Sequence, residues 1–186
     1  MDYRVKFQQG LSYRQFLERY GGDRHTPRWQ TVYEKVVLTP RQRELLVSFR
    51  RDLPVLCLAG AWCGDCVAQC PIFERFAEAS EKIRLRFLDR DEHMDLQRQL
   101  QINAGNRVPV VVFLSEDFFE VARYGERTLA KYRQMATEVL GAACPTGVVA
   151  PGEKLLAEVT QEWLDEFERA QLLLMLSPRL REKHKE

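Results

Sequence analysis

The stretch VLCLAGAWCGDC, residues 55–66, decides how this chain is read. Val55–Ala59 is short and wholly apolar, the pattern of a strand buried on both faces. Gly60–Gly64 reads as a turn, and from Cys63 to about Ala79 the pattern is helical. A buried strand therefore runs through a turn into a helix start that carries two cysteines three positions apart. That spacing lets the two sulfurs reach disulfide distance. Cys63 stands where unpaired backbone N–H groups and the helix dipole favour a thiolate, and it is expected to be the more exposed of the two. Cys63 is thus assigned as the nucleophile towards a disulfide, and Cys66 as the thiol that resolves the mixed disulfide. Because zinc sites use the same C-x-x-C spacing, the surroundings have to decide between the two chemistries.

Downstream, Arg84–Asp89 alternates polar and apolar as a half-buried strand, and Glu92–Gln101 is a helix candidate. Val108–Leu114 is a second buried strand, and Phe118–Tyr124 follows so closely that it should pair antiparallel. Glu126–Leu140 is helical and ends at Gly141. The order strand, helix, strand, helix, strand, strand, helix predicts an α/β fold: a central mixed β-sheet between helical layers.

Upstream, Ser12–Tyr20 has helical spacing and stops at Gly21-Gly22, and Trp29, Val32, Tyr33, Val36 and Val37 form a second stripe. Thr39-Pro40-Arg41-Gln42 resembles a capping box with proline at the first helical position, opening a helix to about Arg50. After a Pro/Gly-containing connection, Cys144–Gly152, an amphipathic helix runs through Leu155, Val159, Trp163, Phe167 and Leu174, with Pro178 just beyond its end. The expected organisation is an N-terminal helical segment, 1–50, packed on a core at 51–141, with a C-terminal helical extension at 142–186.

The 186 residues are 45% hydrophobic and 30% charged with a net charge of +1, as in an ordinary globular chain. The charges are mixed, so no nucleic-acid partner is expected. No apolar run is long enough to span a bilayer and the N-terminus lacks a signal-peptide core, so a cytoplasmic protein without membrane contact is expected. Four of the five cysteines, Cys57, Cys63, Cys66 and Cys70, lie within fourteen residues, and Cys144 stands apart. Such a cluster in a reducing compartment is catalytic or metal-binding rather than a disulfide framework. Asp89-Arg90-Asp91-Glu92 reads as a solvated turn. His25, His93 and His184 have no ligand spacing, and no phosphate-binding loop is present.

With its surroundings, the WCGDC motif resembles the thioredoxin superfamily, in particular bacterial thioredoxin-family proteins with added helices. Pro71 lies five residues after Cys66, where that family carries the proline that bends the active-site helix. Arg107-Val108-Pro109 precedes a buried strand, matching the loop whose cis-proline faces the dithiol, and Gly125 matches a glycine near the site. The resemblance covers about Val55–Leu140. It implies a thioredoxin-like three-layer sandwich and a redox role in cell redox homeostasis, with a redox-active Cys63–Cys66 disulfide and no metal or other cofactor. Trp62, Val108 and Pro109 would contact the substrate, with Gly64 in the motif itself. The substrate would be a disulfide-containing protein or small thiol compound, recharged by a reductase or dithiol. The oligomeric state stays open.

The chain departs from that family at Cys57, where a buried acid usually helps deprotonate the resolving thiol. Asp65 is the available replacement. As a like charge beside a thiolate it should raise the thiol pKa and make the couple reducing. Two other readings remain. One is a metal or iron–sulfur site built from Cys63, Cys66 and Cys70 with Cys57. The other is a non-catalytic interaction module on the same fold.

Overall fold

The computed structural model describes residues 1–140 and 154–186. Cys144, the end of the preceding helix at Gly141 and the 144–152 connection lie outside the described residues. In chain order the elements are α1 (Tyr3–Gln9), α2 (Tyr13–Tyr20), α3 (Gly22–Lys35), α4 (Pro40–Val47), β1 (Leu53–Ala59), α5 (Gly64–Ala79), β2 (Ile83–Asp89), α6 (Met94–Gln99), β3 (Val110–Leu114), β4 (Glu120–Gly125), α7 (Leu129–Leu140), α8 (Leu155–Met175) and α9 (Pro178–His184).

Among the described residues, four strands form one mixed sheet in the order β2-β1-β3-β4. β1 pairs parallel with β2 and antiparallel with β3, which pairs antiparallel with β4. A parallel pair needs a crossover, and α5 supplies it. β1 and β3 are buried at every residue, which is why both read as unbroken apolar runs. The predicted α/β fold with helices around a central mixed sheet is the observed one.

The helices outside the sheet join the same core. Leu11 exchanges two backbone hydrogen bonds of 2.8 Å with Phe87, covering the outer edge of β2. Around Phe87 stand Phe16, Tyr13 and Trp29, with ring centroids 5.5, 5.9 and 6.5 Å away. On α8, Trp163 packs against Phe73 (4.4 Å) and Tyr124 (5.0 Å), and Phe167 against Phe76 (5.2 Å) and Phe113 (5.0 Å). The α8 stripe read from the sequence therefore faces its own core.

Several local expectations change. The short α1 was not foreseen: Asp2 caps it, and it buries only Tyr3 and Phe7. Pro178 lies just beyond the end of α8, as expected, and also opens a further helix, α9, with Ser177 as N-cap. Asp89 is buried rather than solvated, because its Oδ1 accepts the amides of Asp91 (2.8 Å) and Glu92 (3.2 Å) in the turn after β2. Residues 108–109 precede β3 instead of starting it.

Candidate active site

β1 delivers the chain to Ala59, and the amide of Cys63 closes the turn on Gly60 O at 3.0 Å. Cys63 is the N-cap residue of α5 and is half-buried, whereas Cys66, one turn on, is fully buried. The Cys63 thiol donates to the carbonyl of Val108 at 3.6 Å. The peptide joining Val108 to Pro109 is cis, as the resemblance implied, and both residues are buried. Gly125 lies behind this loop: a Cβ there would stand 2.5 Å from Pro109 O. A side chain at 125 and this proline loop are incompatible, which accounts for the glycine. At Gly64 a Cβ would meet nothing within 4 Å. Pro71 lies inside α5, where it has no N–H to give the helix.

Trp62 is 44% exposed and presents an apolar face beside Cys63. The Arg90 guanidinium lies 4.6 Å from its ring centroid, and Gly60 sits close under the indole. Asp65 does not lie free against the dithiol. Its Oδ2 accepts from Arg127 at 2.7 Å, and the same guanidinium donates to the buried Glu126 at 2.9 Å. Tyr132 donates to that Glu126 carboxylate as well, at 2.8 Å.

The two sulfurs titrate as a pair. The hydrogen bond to Cys66, with partial burial, pushes the Cys63 thiol up, while the amides of Cys66 and Asp65 pull it down. Burial alone would push Cys66 up too. Hydrogen bonds from Cys63, Cys70 and the Gly60 amide outweigh it and bring Cys66 below the usual thiol range, with Asp65 opposing them. The first thiolate of the pair therefore forms readily and the second proton is held. The helix-terminus amides act on Cys63 as its position implies, but in the dithiol the shared hydrogen bond outweighs them.

Cys57 and Cys70 are fully buried behind Cys66, their sulfurs 3.9 Å apart. Among the described residues, no three or more His, Cys, Asp or Glu side chains are arranged to hold a metal ion. Among the same residues, no helix is long and apolar enough to cross a membrane.

Three anchors of this site were not foreseen. The Trp29 indole of α3 donates to Ala61 O at 2.8 Å, fixing the turn ahead of Trp62. The Trp163 indole of α8 donates to Gln69 Oε1 at 2.8 Å, and Gln69 in turn donates to Glu126 O at 2.8 Å. Arg127 is the third. Trp29 and Trp163 stood out as stripe residues, but nothing local in sequence tied either one to a polar partner.

A family model described as thioredoxin matches residues 10–139. No curated protein matches the chain. Among solved structures, a protein of unknown function from Pseudomonas aeruginosa is similar at 21% identity, over 91% of this chain and 99% of that one, with a TM-score of 0.70. An HIV epitope-scaffold is similar at 19% identity, over 92% and 93%, with a TM-score of 0.62. At these identities the two structures speak for the fold alone.

Proposed function

This chain belongs to the thioredoxin family, and from that premise we propose that it reduces disulfides of proteins or small molecules through Cys63 and Cys66. The observation that carries the reading is the placement of Cys63: half-exposed, at the N-terminus of α5, 3.6 Å from the carbonyl of Val108 and above the buried Cys66. A nucleophilic thiol needs access and a resolving partner, and both support this reading.

The dithiol starts with one proton shared between its sulfurs. As a substrate disulfide approaches, that proton passes to Cys66 and Cys63 attacks as thiolate. The Cys63–substrate bond forms, the substrate S–S bond breaks, and the first substrate sulfur leaves as thiolate. Cys66 gives up its proton to that thiolate and attacks Cys63, releasing the second substrate sulfur. The substrate has gained two electrons, and the protein holds a Cys63–Cys66 disulfide. The shared proton thus takes over part of the work of the buried acid that Cys57 replaces. Trp62 and the Val108 backbone flank the substrate, the latter able to pair with an extended segment. Asp65 opposes the thiolate, which favours a reducing couple. Recharging falls to a reductase or dithiol in a reducing compartment such as the cytoplasm.

Trapping tests this directly. Cys66→Ser should arrest the reaction as a Cys63–substrate disulfide that dithiothreitol releases. If neither a disulfide peptide nor any cellular protein is trapped on Cys63, the chain is an interaction module whose dithiol is unused.

A further inference from the structure

Cys57 and Cys70 take no part in the reaction above, yet they are not two unrelated core thiols. Cys57 lies mid-way along β1 and Cys70 in the second turn of α5, and their side chains cross between the sheet and the helix to bring the sulfurs within 3.9 Å. Cys70 stands four residues after Cys66, so both sulfurs lie on one face of α5. The four sulfurs thus run as one file, Cys63 to Cys66 to Cys70 to Cys57, from the half-exposed helix start into the core. A buried cysteine ordinarily acts as a small hydrophobe. Here the Cys57 and Cys70 sulfurs are in contact, and the file opens to solvent through the half-buried Cys63. They are not arranged as a metal site among the described residues. A disulfide needs the 3.9 Å separation to close to about 2.05 Å, within reach of small side-chain rotations.

We propose that Cys57 and Cys70 are a second, buried dithiol that receives the disulfide from Cys63–Cys66, so that one chain stores two disulfide equivalents. This rests on the reading of Cys63–Cys66 as the working couple. In the first exchange the Cys70 thiolate attacks Cys66; the Cys66–Cys70 bond forms, the Cys63–Cys66 bond breaks, and Cys63 takes the proton that Cys70 gave up. In the second, Cys57 attacks Cys70; the Cys57–Cys70 bond forms, the Cys66–Cys70 bond breaks, and Cys66 takes the proton from Cys57. The disulfide has moved inward, two protons have moved outward, and no external oxidant is consumed. The front pair is then free to oxidise again. Burial holds the Cys57 and Cys70 thiols up, so the inward transfer is slower than the front couple's own turnover. A fully reduced chain reduces two substrate disulfides before it needs a donor.

The full-length protein, fully reduced and freed of reductant, is mixed with excess oxidised glutathione under native conditions. Samples are quenched in acid over time, alkylated in denaturant, and their disulfides mapped by mass spectrometry. The expected result is Cys63–Cys66 first and Cys57–Cys70 later, with two disulfides per chain at the end. In Cys66→Ser, and independently in Cys63→Ser, whose altered residue is only half-buried, Cys57–Cys70 should form roughly tenfold more slowly or not at all, because the buried pair has lost its entry. Cys57 and Cys70 remaining thiols while Cys63–Cys66 is fully oxidised would overturn the inference and leave the proposed function standing. Formation of Cys57–Cys70 at the wild-type rate in both variants would overturn the relay as well. Failure of Cys63–Cys66 itself to form would remove both readings.

Discussion

The indole N–H of Trp29 donates to the backbone carbonyl of Ala61 over 2.8 Å, inside the core and two residues ahead of Cys63. The turn that presents the nucleophile is therefore fixed by a helix that precedes the sheet. Trp29→Phe keeps much of the ring contact but leaves the buried carbonyl without its donor, at a cost of about 1–3 kcal/mol. The urea midpoint should fall with an unchanged slope, and the alkylation rate of Cys63 should change. An unaltered rate would mean that the turn holds its shape without α3.

Arg127 joins Asp65 to Glu126 beside the dithiol. Removing its charge in Arg127→Gln leaves Asp65 without its cation near the developing thiolate, while Glu126 keeps Arg107 at 3.4 Å and Tyr132. The pH midpoint of Cys63 alkylation should rise. Asp65→Asn should lower it, since Asp65 works against the Cys66 thiolate. Identical pH profiles in wild type and both variants would remove Asp65 and Arg127 from the chemistry.

Two glycines of the site should behave in opposite ways. Gly125→Ala forces a Cβ to 2.5 Å from Pro109 O and 3.1 Å from Val110 Cα, so backbone must move. A loss of about 1–3 kcal/mol is expected, together with slower disulfide reduction as the proline loop shifts. Gly64→Ala meets open space in the first turn of α5. It should be neutral or stabilising by up to about 1 kcal/mol. Paired thermal melts and turnover rates check both.

Glu74, on α5, has its carboxyl raised to about 7 by burial, then by the nearby charge of Glu78, with Arg86 pulling the other way. A carboxyl whose pKa is higher folded than unfolded contributes stability that is fully present below the unfolded value of 4.5. That contribution is lost as pH rises through about 7. Glu74→Gln should therefore raise the melting temperature at pH 8 and change it little at pH 4. A variant equally or less stable than wild type at pH 8 would contradict this.

The order of strands and helices from Leu53 to Leu140 was legible because β1 and β3 are apolar at every residue and WCGDC marks where a strand gives way to a helix. The front of the site was legible for the same reason: Trp62, Cys63, Gly64, Asp65 and Cys66 are contiguous. What could not be read depends on partners far apart in sequence. Asp65 meets Arg127 across 62 positions, and Trp163 meets Gln69 across 94. The contact of Cys57 with Cys70 also depends on how β1 and α5 stack. Among the described elements, α1 was missed because its signal rests on two buried aromatics. α9 was missed although Ser177-Pro178 carries the signature of a helix start, because it is only seven residues long and buries only Leu180.

Whether Cys63 and Cys66 form a working redox couple is decided by a redox-buffer titration with the disulfide mapped at each potential. The first reversible two-electron step should map to Cys63–Cys66, at a potential below the roughly −180 mV of protein disulfide isomerase. No reversible step at these two cysteines, or one above that value, would contradict this.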